Sequence, residues 1–191
     1  MVAQVSRERI AYHITRLGSP DRTVARRAES HLMRHYRAAS VEPLIAACAG
    51  PDGAVRYRAV WVLAHTRDAR AYDTVLRLTR DTDGEVRYDA AIALGILGDD
   101  RAIAPLVALL QEPDMEYCVD SAAAMGLERL GSAAAPALIK VAKHSIGHAR
   151  IMAIHALGHI GGKEAVELLT GLASDADEEA RVAAKEALEE I

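Results

Sequence analysis

The segment Thr82–Glu112, TDGEVRYDAAIALGILGDDRAIAPLVALLQE, contains the pattern that decides the fold of this chain. Asp83 is suited to cap a helix, because its side chain can accept a hydrogen bond from a free N–H of the first turn. Gly98 ends the first run, and Ile103–Leu110 starts a second run with the same spacing. The apolar residues of the first run are Val86, Ala90, Ala93, Leu94 and Leu97. The segment therefore predicts a pair of amphipathic helices.

The same pattern returns about every 31 residues, for example at residues 51–63 and 113–125. A small residue recurs at Ala28, Ala59, Ala90, Ser121, Ala153 and Ala184. A large residue recurs at Leu32, Leu63, Leu94, Met125, Leu157 and Leu188. One helical pair cannot bury its own apolar side, so it must stack on the next pair. The recurrence therefore predicts a row of stacked helical pairs.

These features predict an all-α protein, a right-handed α-solenoid that forms one domain over residues 1–191. The predicted repeats are 20–50, 51–81, 82–112, 113–144 and 145–175. Single helices at residues 6–19 and 176–191 are expected to cap the core as half-repeats. The glycines expected to end the first helices of the repeats are Gly95, Gly98, Gly126, Gly131, Gly158 and Gly161.

The motif Asp-x-x-Val-Arg, followed by alanine, Leu-Gly and a Pro-Leu helix, resembles the HEAT-repeat family. It is most similar to the short HEAT-like repeats named after phycobilin lyases, and the resemblance covers nearly the whole chain. Proteins built from these repeats include scaffolds, chromophore lyases and a di-iron hydroxylase that acts on deoxyhypusine. The resemblance therefore implies the fold and leaves several functions open.

Composition narrows the functional classes. The net charge is −4, but residues 1–80 carry 14 Arg against 7 acidic residues, and the rest of the chain is acidic. Cys48 and Cys118 lie far apart with no CxxC spacing, which favours two reduced thiols. No stretch reaches the ~18 apolar residues of a membrane span, and the N-terminus does not resemble a signal peptide. We expect a cytoplasmic protein that does not enter a membrane.

The favoured function is that of a non-enzymatic scaffold for protein–protein interaction, with no cofactor. The family resemblance implies that second helices line a concave face, where a partner protein would bind. The candidate binding residues on these helices are Asp73, Arg77, Arg80, Gln111, Lys140 and Lys143. Because four of the six are cationic, the expected partner is another protein that offers an acidic segment.

A metal-dependent or chromophore-modifying enzyme is the alternative. His155 and His159 lie one helical turn apart, and 31 residues later stand Glu186 and Glu190. On adjacent helices these four side chains would face each other as ligands for zinc or iron. The competing interpretation is a solvated face with ordinary ion pairs. The resemblance to the hydroxylase stops at this symmetry, because the chain lacks the His-Glu dipeptides of that family.

Three further patterns have structural as well as functional interpretations. Bilin binding would use aromatic and acidic side chains, for which the candidates are Tyr57, Tyr72, Tyr88, Asp73 and Asp89. Stacking between repeats explains the tyrosines equally.

Arg56, Arg87, Arg150 and Arg181 recur at one position, and ion pairs with loop aspartates are favoured there over an anion-binding ladder. Basic residues crowd the first helix of repeat 20–50, but their scatter over both helices argues against nucleic acid as the partner.

Overall fold

The structure is a computed structural model that describes the backbone of residues 2–114 and 116–191 and the side chains of 6–114 and 116–191. Helices dominate the described chain, joined by short loops and 3-10 turns. Their bounds are α1 (Val2–Leu17), α2 (Arg22–His35), α3 (Val41–Ala47), α4 (Gly53–Thr66), α5 (Tyr72–Leu78), α6 (Gly84–Leu97), α7 (Ile103–Leu110), α8 (Val119–Leu130), α9 (Ala135–His144), α10 (Gly147–Ile160), α11 (Lys163–Leu172) and α12 (Glu178–Glu189). The all-α prediction is confirmed.

Aspartates begin several of these helices, as the sequence predicts. The Asp52 carboxylate accepts hydrogen bonds from the N–H groups of Ala54 and Val55, and Asp177 accepts one from Glu179. At the helix ends, Gly98, Gly131 and Gly161 adopt left-handed φ angles of 73°, 63° and 67°. These three glycines therefore end first helices as predicted.

The other three glycines were assigned wrongly. Gly95, Gly126 and Gly158 lie inside α6, α8 and α10 and are buried. Gly158 shows the reason, because a Cβ placed there would lie 2.8 Å from the Cβ of Ala187 and 3.0 Å from its carbonyl oxygen. Glycine at this position allows the backbones of α10 and α12 to approach closely.

The helices pack in two compact units, Met1–Leu97 and Gly98–Ile191. In the first unit α1 packs on α2, α3 on α4 and α5 on α6, and α4 also packs closely on α6. In the second unit α7 packs on α8, α9 on α10 and α11 on α12, while α10 packs between α8 and α12. The second helices of the predicted repeats are α3, α5, α7, α9 and α11. Each of them thus packs mainly on the first helix of the next repeat, which follows it in the chain. This pairing is offset by one helix from the predicted repeats, and it gives α1 and α12 close partners.

Most of the recurring core positions are buried as predicted. Leu32, Leu63, Leu94 and Leu157 are fully inaccessible to solvent, and so are Ala59, Ala90, Ala153 and Ala184. At the two ends, Ile10 and Leu17 of α1 are buried, and Ile14 and Leu188 are half-buried. Alanine and leucine at this spacing therefore build the interfaces between helices.

The exception is α8, where the predicted pair was wrong. Met125 is 39% exposed and Ser121 is half-buried, whereas Ala123 and Leu127 are fully buried. The loop before α8 is longer than in the other repeats, and Cys118 stands in left-handed conformation with a φ of 53° just before the helix starts at Val119. The extra length moves the core positions of α8 by two residues.

Candidate partner-binding surface

Three of the candidate binding residues lie in the first unit. Asp73 and Arg77 are on α5, and Arg80 follows its C-terminal end; all three are exposed. The opposite side of α5 is anchored by the buried Val75 and Leu78. The short helix therefore presents Asp73 and Arg77 to solvent from a fixed position.

The other three candidates lie in the second unit. Lys140 and Lys143 are exposed on α9, whose opposite side is held by the buried Leu138 and Val141. Gln111 is exposed at the end of α7, and its Nε2 donates a hydrogen bond to Ser145 Oγ at 3.0 Å. Gln111 therefore also ties the end of α7 to the loop after α9.

An open groove runs between the second helices α9 and α11, and Lys143 stands on its edge. Apolar side chains form part of it, namely Ile139, Leu168 and Leu172, and Gly171 adds no side chain. Glu164 and Glu167 complete the edge on the α11 side. The groove encloses about 580 Å³, which is within the size range of ligand sites.

The first-helix face of the second unit holds the candidate metal residues. His159 Nε2 lies 3.0 Å from Glu190 Oε2, so the proximity predicted for this pair is present. The other ring nitrogen, Nδ1, lies 2.9 Å from Glu128 Oε2. The hydrogen bond to Glu128 and the negative charges of both glutamates raise the pKa of His159 above its ordinary value. His159 of α10 therefore links Glu128 of α8 with Glu190 at the end of α12, and both carboxylates favour the protonated form of its ring.

His155 and Glu186 lie apart from that bridge. They line an open groove between α10 and α12 together with His148, Ile151 and Val182. In residues 2–114 and 116–191, no three His, Cys, Asp or Glu side chains are arranged to hold a metal ion. The structure thus does not gather His155, His159, Glu186 and Glu190 into a ligand set; of these four residues, His159 and Glu190 lie in contact.

Arg56 and Arg150, two of the four recurring arginines, form ion pairs with loop aspartates, one in each unit. Arg56 donates from Nε and Nη2 to Asp81 at 3.0 and 2.8 Å, and its Nη1 donates to the carbonyl oxygens of Gly50 and Pro51. In the second unit Arg150 Nη2 lies 2.7 Å from Asp175 Oδ2. Each aspartate lies 25 residues after its arginine, in the loop that precedes the next first helix. The arginines therefore link successive repeats, as the structural interpretation predicts.

Asp89 is a partly buried carboxylate among the bilin candidates. Burial, together with the negative charges of Glu85 and Glu29, raises the pKa of Asp89 to about 6. Glu29 itself faces Arg58, whose Nε lies 3.5 Å from Glu29 Oε1. A carboxyl that is partly protonated near neutral pH can donate a hydrogen bond, although groups of this kind also occur in structural networks.

Comparison with known proteins identifies the family. A family model described as HEAT repeats matches residues 41–118 and 114–189, which is more than half of the chain. The chain belongs to the HEAT-repeat family. Among curated proteins, no sequence matches this HEAT-repeat chain.

Solved structures share the fold of this HEAT-repeat chain. One is the complex of CpcE and CpcF of phycocyanin lyase from Nostoc sp. PCC7120, with a TM-score of 0.58, 23% identity and coverage of 94% of this chain and 75% of the other. A second is a designed armadillo repeat protein in complex with the peptide (KR)4, with a TM-score of 0.53, 22% identity and coverage of 94% and 98%. A third is an engineered protein, with a TM-score of 0.54, 24% identity and coverage of 95% of both chains. At these identities the likeness shows the α-solenoid fold alone.

Sequence reasoning missed two polar contacts of the HEAT-repeat chain. Glu128 was overlooked as the second partner of His159, although it lies 31 residues before it. Asp120 is buried on α8, where it accepts a hydrogen bond from the N–H of Ser121 and lies 3.5 Å from His148 Nε2. Its position corresponds to that of Arg150 on α10, and the shift of two residues in α8 hid that correspondence.

No helix of the described chain has the length and apolar character needed to cross a membrane.

Proposed function

We propose that this HEAT-repeat chain is a protein-binding scaffold whose second helices hold a segment of a partner protein. The observation that carries the proposal is the open groove between α9 and α11, where apolar side chains lie between Lys143 on the α9 edge and Glu164 and Glu167 on the α11 edge. The exposed Lys140 on the same helix adds a second cation. A partner segment would place an apolar side chain against Ile139 and Leu168 and a carboxylate near Lys143.

The second helix of the first unit offers a further surface for the same purpose. Arg77 and Arg80 are exposed on and beside α5, as an acidic segment would require. The complexes named above support the proposal, since one solved relative in fold binds a peptide and another forms a complex of two subunits. The proposal includes a cytoplasmic location, for which the free thiols of Cys48 and Cys118 are the support.

Photocrosslinking tests the position of the surface. A benzophenone amino acid replaces Leu168 in the groove, and in a matched control it replaces the exposed Lys185 of α12. In cells that make this protein, we expect a discrete protein adduct from position 168 and none from position 185. Equal adducts from both positions, or adducts from position 185 alone, would contradict the proposal.

Charge reversal then tests the chemistry on the partner that crosslinking identifies. Lys143→Glu should weaken binding several-fold, because it repels a carboxylate that the lysine attracts. Lys185→Glu makes the same change of charge in the same unit and should leave the affinity unchanged. The double change Arg77→Glu and Arg80→Glu should weaken binding several-fold if the partner also reaches the first unit.

The proposal assigns binding rather than catalysis to the chain. Covalent attachment of a bilin to an acceptor protein by the purified chain, absent without it, would contradict this part. The crosslinking result would stand independently of that outcome.

A further inference from the structure

A small pocket between α1 and α2 of the first unit has a different chemical character from the grooves described above. It encloses about 210 Å³ and is lined by residues of these two helices alone. Drug-sized ligands occupy pockets of ~300–1,000 Å³, so this pocket suits a small ion or one group of a larger molecule. The lining residues are Tyr12, His13, Arg16, Val24, Arg27, Ala28 and His31.

Nitrogen-containing side chains converge on this pocket from both helices. His13 and Arg16 come from α1, and Arg27 and His31 come from α2. None of the lining residues is acidic. The floor includes the buried Ala28, which leaves room between the polar groups. The pocket therefore offers donors and positive charge without an internal counter-ion.

The two arginines of the pocket differ from those that link the repeats. Arg56 and Arg150 each bind an aspartate, and their side chains are only 12% and 13% exposed. Within the part of the chain that the structure describes, neither Arg16 nor Arg27 pairs with a carboxylate. Arg16 instead lies over the ring of Tyr12, with its Cζ 5.4 Å from the ring centroid. Their guanidinium groups are thus available to an anion.

The histidine rings of the pocket lie in contact with one another. The rings of His13 and His31 stack at 4.7 Å between centroids with an angle of 11° between their planes, and His35 lies 5.4 Å from His31. Burial, followed by the positive charges of His31 and His35, lowers the pKa of His13. An anion placed beside these rings would offset that repulsion and favour their protonated forms.

We propose that the pocket between α1 and α2 binds a small phosphate-type anion through the guanidinium groups of Arg16 and Arg27 and the imidazoles of His13 and His31. Arginine presents its N–H groups in a planar fork that matches the oxygens of a phosphate. Tyr12, whose side chain is 56% exposed at the edge of the pocket, is placed to contact the organic part of a phosphate monoester. This site is independent of the surface proposed for protein binding.

Titration of the whole chain with inorganic phosphate tests this site. Imidazole nitrogen resonances are followed by NMR at pH 7, with sodium chloride adjusted to hold the ionic strength constant. We expect saturable shifts at His13 and His31, and a weaker dissociation constant, by about tenfold, in both Arg16→Gln and Arg27→Gln. Phenyl phosphate forms a second arm, and tighter binding of this compound than of free phosphate would indicate a monoester as the ligand.

A matched variant separates the pocket from general charge effects. Arg22→Gln removes the same charge from an exposed position on α2 that does not line the pocket. It should change the dissociation constant less than twofold, with thermal unfolding confirming that all three variants fold. Absence of saturable shifts, or equal weakening in Arg22→Gln, would overturn the proposal. So would tighter binding of a single-stranded oligonucleotide that is lost equally in all three variants, since this would assign the basic surface to nucleic acid.

The dependence on pH gives a further check with sulfate, which keeps its charge between pH 6 and pH 8. The groups facing His13 are Tyr12 and Arg16 from α1, Arg27, His31 and His35 from α2, and Tyr36 after it. Because a bound anion favours the protonated form of His13, sulfate should bind several-fold more tightly at pH 6 than at pH 8. An affinity that does not change over this range would exclude the histidines from the site.

Discussion

The loops that precede α6 and α12 differ from the loop that precedes α8. Before α6, Asp81 accepts a hydrogen bond from the N–H of Asp83 and also binds Arg56 of the preceding first helix. Before α12, Asp175 and Asp177 make the same contacts with each other and with Arg150. In each loop, one aspartate thus accepts a hydrogen bond from the loop backbone and also binds the arginine of the preceding first helix.

The loop before α8 achieves its shape with different residues. Asp114 accepts hydrogen bonds from the N–H groups of Glu116 and Tyr117, and its carbonyl oxygen accepts one from Cys118. At the position of the arginine, α8 carries the buried Asp120, which faces His148. The comparison shows that the arginine–aspartate link can be replaced where the loop is longer, and that the helix register then changes.

The largest expected effect concerns this register. Leu127→Ala should lower the free energy of unfolding by ~2–5 kcal/mol, because Leu127 is fully buried and its removal leaves a cavity. Met125→Ala should cost less than about 1 kcal/mol, since that side chain is 39% exposed. Urea denaturation of both variants measures the difference. A larger cost for Met125→Ala than for Leu127→Ala would show that Met125 occupies the core position, as the 31-residue repeat alone predicts.

The second effect concerns the link between repeats. Arg150→Gln should cost about 2 kcal/mol, because it removes the guanidinium that donates to the carboxylates of Asp175 and Asp177 and to the carbonyl oxygen of Ala142. Arg101→Gln is the matched control in the same unit, where the arginine side chain is 58% exposed and binds Asp99. This control should cost no more than ~0.5 kcal/mol by the same denaturation measurement. Equal costs would show that the link adds nothing to stability.

The sequence predicts the fold well because several independent signals agree at each repeat. The capping aspartates, the left-handed glycines and the buried leucines all recur with the same period, and each is needed for packing. The register of α8 escaped prediction because Ser121 with Met125 and Ala123 with Leu127 are both a small and a large residue spaced four apart. Which of the two pairs faces the core depends on where the extra loop residues lie before α8.

The candidate surfaces were predicted less completely. The pairing of His159 with Glu190 follows from their spacing of 31 residues, because equivalent positions on adjacent first helices face each other. The groove beside Lys143 depends on how far apart α9 and α11 lie, and periodicity does not determine that distance. The sequence showed that basic residues crowd α2, but it did not indicate that some of them line a pocket with α1.

A third prediction compares equivalent residues of α4 and α6. Arg58 pairs with Glu29, whereas Asp89, one repeat later, has a raised pKa of about 6. Folding then favours the protonated acid, so stability falls as pH rises from about 4 through 6. Asp89→Asn should match the parent protein below pH 4. It should be more stable by roughly 1 kcal/mol at pH 8, after allowance for solvent screening. Thermal unfolding at both pH values measures this, and a destabilised Asn variant at pH 8 would contradict the account.

The smallest expected effect concerns His159, which contacts Glu128 of α8 and Glu190 at the end of α12. Because its pKa is raised in the folded state, the stabilisation is fully present below the ordinary pKa of 6.5 and is lost as pH rises through the folded value. His159→Gln should therefore cost a few tenths of a kcal/mol at pH 6 and nothing at pH 9, since the side chain is 45% exposed. His155→Gln serves as the control, because it removes an imidazole from the same helix. If both variants show the same pH dependence, the glutamates do not hold His159 in its charged form.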